Sequence, residues 1–105
     1  AEVTDELRET DLKRTLAVEK IGKTAFRNNQ YVKEVVLPTS VIRIRDGAFK
    51  ESSIVHFEGS DNLLSIGDEA FADCSNLETE KISRNTAEIG KKVLENSPNA
   101  VLQYK

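Results

Sequence analysis

The sequence predicts an α/β right-handed solenoid of about four coils plus an N-terminal cap. A short parallel sheet would lie on one side and short helical turns on the other. Three observations predict it. One six-residue pattern returns at Ile21, Ile44, Ile66 and Ile89, with starts 23, 22 and 23 residues apart. Eight residues after each Ile stands a small polar or polarisable residue: Asn29, Ser52, Cys74 and Ser97. Apolar strand residues follow in step, at Val32, Ile54, Leu77 and Ala100. Repetition at a period of about 20 to 50 residues is the signature of stacked coils, each with an apolar edge it cannot bury alone.

The elements follow in order. Residues 1–20 are expected to cap the stack. Val3, Leu7, Leu12 and Leu16 are spaced loosely for an amphipathic helix with Thr4 or Asp5 as N-cap, while Leu16, Val18 and Ile21 could instead end a degenerate coil. The repeats occupy 21–43, 44–65, 66–88 and 89–105, and all 105 residues form one domain. Each repeat opens on core columns: Ile21/Ile44/Ile66/Ile89, Ala25/Ala48/Ala70/Val93 and Phe26/Phe49/Phe71/Leu94. The Phe column fills the centre. The six residues 68–73 read as one or two helical turns with acids near the start, where the peptide dipole favours them. The strand over residues 32–37 points Val32, Val35 and Leu37 inward and stops at Pro38, which has no N–H to donate. Its equivalents are 54–59, 77–83 and 100–105.

Several positions depart from the pattern. Arg45 stands where the other repeats have Gly, and Gly47 follows two places later. Repeat two is one residue short. Glu80 falls on the inward site of Val35, and Gln103 falls there one coil later. A charge in a dry core costs several kcal/mol unless paired, so Glu80 is expected to reach water or Gln103.

Residues 66–77 (Ile-Gly-Asp-Glu-Ala-Phe-Ala-Asp-Cys-Ser-Asn-Leu) and 35–44 (Val-Val-Leu-Pro-Thr-Ser-Val-Ile-Arg-Ile) together resemble the two halves of a BspA-like leucine-rich repeat. The resemblance covers residues 21–105. It implies a leucine-rich-repeat solenoid and a secreted or cell-surface, adhesin-like setting, and it brings no catalytic motif.

Composition narrows the function classes. Apolar residues are 38% of the chain, charged residues 31%, and the net charge is -3. No apolar stretch approaches the roughly 18 residues a spanning helix needs, so no membrane insertion is expected. The basic footprint of a nucleic-acid binder is missing. The first residues, from Ala1 to Thr4, lack a leader pattern, which fits a cytosolic chain or one already trimmed. Cys74 and His56 are the single cysteine and histidine. A lone thiol forms no internal disulfide or cysteine-based zinc cage, and it leaves the redox compartment open. Cys74 reads as a buried structural thiol in the polar column, because no base stands near it in sequence to lower its pKa. His56 reads as an exposed strand residue between Val55 and Phe57, with a register slip separating the inward Ile54 and Phe57. There is no Gly-rich phosphate loop and no acidic calcium loop, so the chain is expected to be non-catalytic, with no cofactor and no metal.

The remaining surface is the outward face of the sheet. It is expected in three rows: Lys33, Val55, Glu78 and Val101; Glu34, His56, Thr79 and Leu102; and Val36, Glu58, Lys81 and Tyr104. This mixture of charge, Val and Tyr is the candidate site for a protein or cell-surface partner. The competing reading is a solvated face on a structural spacer. Strands lie about 4.8 Å apart, so four of them span only about 15 Å. Twelve outward positions fall short of the roughly 20 to 30 residues a standard interface uses on each side.

Overall fold

The computed structural model describes residues 2–3 and 20–105. The helical cap or degenerate coil expected through Leu7, Leu12 and Leu16 lies outside the described residues.

Among the described residues, nine short strands form two parallel sheets. The first contains β1 (Glu2–Val3), β2 (Lys20–Ile21), β4 (Arg43–Ile44), β6 (Ser65–Ile66) and β8 (Glu88–Ile89), hydrogen-bonded in the order β1-β2-β4-β6-β8. The second contains β3 (Glu34–Val36), β5 (His56–Glu58), β7 (Thr79–Ile82) and β9 (Val101–Tyr104), in that order. The first sheet aligns Ile21, Ile44 and Ile66 with Ile89, which is the 23, 22 and 23 spacing of the repeat. Each turn of the chain therefore crosses two sheets. The expectation of one sheet was incomplete because two-residue strands such as Arg43–Ile44 are too short to show alternation.

The expected helical turns are absent: the described residues contain no helix. Residues 23–28, 46–51, 68–73 and 91–96 are chains of tight turns instead. The backbone is left-handed at the third and seventh residues after each column Ile. The first set is Thr24, Gly47, Glu69 and Lys92, at φ 54°, 62°, 56° and 57°, and the second is Asn28, Glu51, Asp73 and Asn96, at 58°, 62°, 56° and 58°. A right-handed helix cannot pass through such residues. Gly47 is thereby explained, since glycine adopts positive φ without steric cost.

The amides show what replaces the helix. Alternate N–H groups turn back within the coil, as Ala25 donates to the carbonyl of Gly22 and Arg27 to that of Thr24. The others point along the stack. Thr24, Phe26 and Asn28 donate to the carbonyls of Asp46, Ala48 and Lys50 at 3.1, 2.6 and 2.8 Å. Gly47, Phe49 and Glu51 donate in the same way to Asp68, Ala70 and Ala72, and Glu69, Phe71 and Asp73 to Lys91, Val93 and Glu95. The turn side is thus hydrogen-bonded from coil to coil, like the strands.

That pairing brings backbones close enough to dictate side chains. The Asp46 carboxylate accepts from the Asp68 N–H, and the Asp68 carboxylate accepts from the Lys91 N–H, both at 2.8 Å. A Cβ on Gly67 would collide with the backbone of Arg45 and Asp46, and one on Gly90 with that of Gly67 and Asp68. Each of these glycines thus follows, one coil on, an aspartate that draws the two backbones together. Lys23 holds the aspartate position in the first repeat and supplies no carboxylate there, and the next residue in the glycine column is Arg45.

The core lies between the three sides. Phe26 stacks on Phe49 at 5.2 Å and Phe49 on Phe71 at 5.1 Å, each pair within 5° of parallel. Phe57 leans against Phe49 and Phe71 from the second sheet, at 57° to each. Leu94 continues this column only half buried. Removing a buried aromatic typically costs about 3–5 kcal/mol. Phe49→Ala, in mid-column, should destabilise the fold by about that much, and Leu94→Ala by clearly less, in denaturant melts of both variants. Equal losses would contradict a linear stack.

Candidate interaction face

The second sheet carries the candidate site. Its ladder aligns Glu34, His56, Thr79 and Val101 in one outward row and Val36, Glu58, Lys81 and Gln103 in another. Between them run the inward residues Val35, Phe57, Glu80 and Leu102. Val36 and Val101 are more than half exposed, Glu58 and Thr79 are half buried, and Tyr104 at the end of the last strand is 49% exposed. Glu34, Val36, His56, Glu58, Lys81 and Gln103 border a shallow open groove. Lys105 reaches over the face to Glu58 at 3.6 Å and to Asp61 at 3.4 Å, and Arg84 lies over the Tyr104 ring at 5.9 Å.

In the first three strands, the residues expected on this face lie at the surface of the second sheet. Lys33, Glu34, Val36, His56, Glu78 and Lys81 are exposed, and Val55, Glu58 and Thr79 are half buried. The slip between Ile54 and Phe57 is a bulge: Val55 and His56 both donate to the Lys33 carbonyl, at 2.7 and 3.1 Å. Glu78 and Thr79 share the Val55 carbonyl in the same manner.

The last strand required correction. Val101 alone takes the Glu78 carbonyl, so this coil lacks the bulge and everything after it moves by one place. Val101 joins the row of Thr79, not that of Glu78. Leu102, expected outward, pairs with Glu80 in the inward column and is half buried. Gln103, expected inward, faces out beside Lys81, and Tyr104 pairs with Ile82 instead of joining the Lys81 row. Gln103 is the face residue that the sequence reading missed. The available signal was the count from the column Ile to the strand, 12 residues for Ile89 to Val101 against 13 for Ile66 to Thr79. That count does not reveal the lost bulge, because Ile44 to His56 also spans 12 residues and that coil keeps its bulge.

Glu80 also differs from expectation. It reaches neither water nor Gln103: its exposure is 0%, and neither carboxylate oxygen has a hydrogen-bond partner among the described residues. Burial pushes its carboxyl pKa up to about 8, because the charged form loses hydration that nothing replaces. At neutral pH the side chain is mainly the uncharged acid.

Cys74 is fully buried in the polar column, as expected. Its thiol donates to the Phe49 carbonyl at 3.0 Å, and its N–H donates to the Ser97 hydroxyl at 2.9 Å. The Ser97 hydroxyl in turn donates to the Phe71 carbonyl at 2.7 Å. Burial raises the thiol's pKa, outweighing the lowering effect of hydrogen bonding with Ser52. The site chemistry around Cys74 is therefore structural: it satisfies backbone groups where the turns meet the second sheet. Among the described residues, no cluster of three or more His, Cys, Asp or Glu is arranged to hold a metal ion.

Residues 4–103 match the BspA type leucine-rich repeat region, in six copies. The chain belongs to the BspA-type leucine-rich-repeat family. No curated protein and no solved structure matches significantly. Leucine-rich-repeat solenoids are typically interaction scaffolds, and the family assignment suggests the same broad role for this chain. No helix among the described residues is long and apolar enough to cross a membrane.

Two measurements check the buried groups of this leucine-rich-repeat domain. Glu80 has a higher pKa folded than unfolded, so the folded state binds more protons between about pH 4.5 and 8. Its contribution to stability should be fullest below that range and fall as pH rises through it, by up to about 1.4 kcal/mol per unit. Glu80→Gln should flatten this part of the stability–pH curve in denaturant titrations at several pH values. Cys74 should resist a water-soluble thiol reagent in the native protein at pH 8 and react promptly once denaturant is added. Labelling at the rate of a free thiol without denaturant would contradict its burial.

Proposed function

We propose that the chain is a non-catalytic, adhesin-like interaction module that meets a protein partner with the outward face of the second sheet. The observation that carries this reading is the regular double row on that face. Glu34, His56, Thr79 and Val101 stand beside Val36, Glu58, Lys81 and Gln103, all on backbone held by the parallel ladder. Exposed Val36 and Val101 supply apolar contact among charges of both signs. Val36 lies on one edge strand and Val101 on the other, with the polar residues between them, and such a mixture of apolar and charged groups suits a protein surface. The family supports an interaction role, and its frequent cell-surface setting supports display or secretion.

The face is narrow, so binding by one such module is expected to be weak and to gain from multivalency. A structural spacer is the alternative, and one experiment separates the two. Immobilised protein would be offered extracts of host cells and cell walls, in parallel with a variant carrying Val36→Ser, His56→Ser and Lys81→Ser. These three side chains are solvent-facing, so the variant should melt close to the parent. Capture of a defined protein that fails with the variant supports the interaction face. Equal capture by parent and variant, or none by either, supports the spacer.

A further inference from the structure

The third and fourth coils enter the second sheet differently. Leu77 donates to the carbonyl of Cys74 and Ala100 to that of Ser97, so Ala100 is the counterpart of Leu77. In the third coil Glu78 follows, and Thr79 then joins the ladder. In the fourth, Val101 follows Ala100 directly and pairs with Thr79. The fourth coil therefore has no counterpart of Glu78 on the outward side. A notch of about 790 Å³ opens there, with Ser75, Asn76, Glu78, Asn99, Val101 and Gln103 in its lining. Small-ligand sites typically enclose about 300–1,000 Å³.

The lining is polar and its side chains are unengaged. Asn76 and Asn99 each stand ten residues after a column Ile, at the same place in successive coils. Ser75, Asn76, Glu78, Asn99 and Gln103 are exposed, and none of their side chains is hydrogen-bonded or ion-paired to another described residue. Three amides, a hydroxyl and a carboxylate thus converge on one notch with their bonding capacity free.

We propose that this notch binds a neutral saccharide. Sugar hydroxyls both donate and accept. The amides of Asn76, Asn99 and Gln103 do the same, while the Glu78 carboxylate accepts. Val55 and Val101 add apolar wall for the C–H face of a sugar ring. No Lys or Arg lines the notch, and the Glu78 carboxylate opposes an anionic ligand. A peptide strand finds no open backbone row there, because β7 is already paired with β5 and β9. A further coil stacked on β9 would extend the sheet beyond the notch, which lies between β7 and β9. The site goes beyond the protein-contact reading and is separable from it, since Val36, His56 and Lys81 do not line the notch.

Amide NMR spectra recorded during titration with maltose, cellobiose, lactose and diacetylchitobiose test this. At least one of these sugars should shift the signals of Asn76, Glu78, Asn99 and Val101 saturably. An open site with a few polar contacts should bind it with a Kd in the millimolar range. The double variant N76A/N99A should bind at least about tenfold more weakly, because it loses two bidentate hydrogen-bonding groups. Glu78→Ala should also weaken binding, and it serves as the second test if the asparagine pair disturbs the turn. The variant with Val36→Ser, His56→Ser and Lys81→Ser should bind the sugar as the parent does. Loss of protein capture and loss of sugar binding are therefore read independently. The proposal is overturned if none of the four sugars shifts the notch signals. It is equally overturned if N76A/N99A and Glu78→Ala bind as the parent does, or if a sulfated disaccharide binds more tightly than the neutral ones.

Discussion

Backbone hydrogen bonds running from coil to coil are the constraint on which the rest of this structure depends. Parallel strands need them in any sheet, but here the turn segments use them as well. Thr24, Phe26 and Asn28 reach the next coil with the same donor geometry that a strand would use. Because each coil is bonded to its neighbours on every side, residues at equal positions must lie on one another. The near-parallel stack of Phe26, Phe49 and Phe71 is the side-chain consequence. So is the alternation at the second sheet, where one row faces the core and two face solvent.

The same close approach decides where sequence variation is tolerated. Gly67 and Gly90 have no room for a side chain, because aspartates in the preceding coils hold the backbones together. The left-handed turn positions constrain less, and Thr24, Glu69 and Lys92 share with Gly47 a conformation that glycine adopts most easily. Glu80 shows the opposite case: its backbone position suits the ladder while its side chain suits the core poorly. Keeping the proton lets it occupy a column otherwise filled by Val35, Phe57 and Leu102. On the solvent side, the same ladder holds two rows of mostly polar and charged residues with Val36 at one edge and Val101 at the other.

Much of this was legible in the chain because the repeat is written in side chains that must be buried. The period, the Ile, Ala and Phe columns, the inward Val32, Val35 and Leu37, the burial of Cys74 and the exposure of His56 all follow from which residues avoid water. The sequence by itself therefore determined the stack and its core. Tertiary structure decided what depends on backbone contact between coils. It replaced the expected helical turns with left-handed turns bonded to the next coil, and it added a second sheet from strands too short to show a pattern. It also turned Leu102 inward and Gln103 outward through the lost bulge, and sealed Glu80 away from water. Burial preference is a property of each side chain and can be read one residue at a time. Register and hydrogen-bond direction belong to pairs of coils, and they exist only once those coils are stacked.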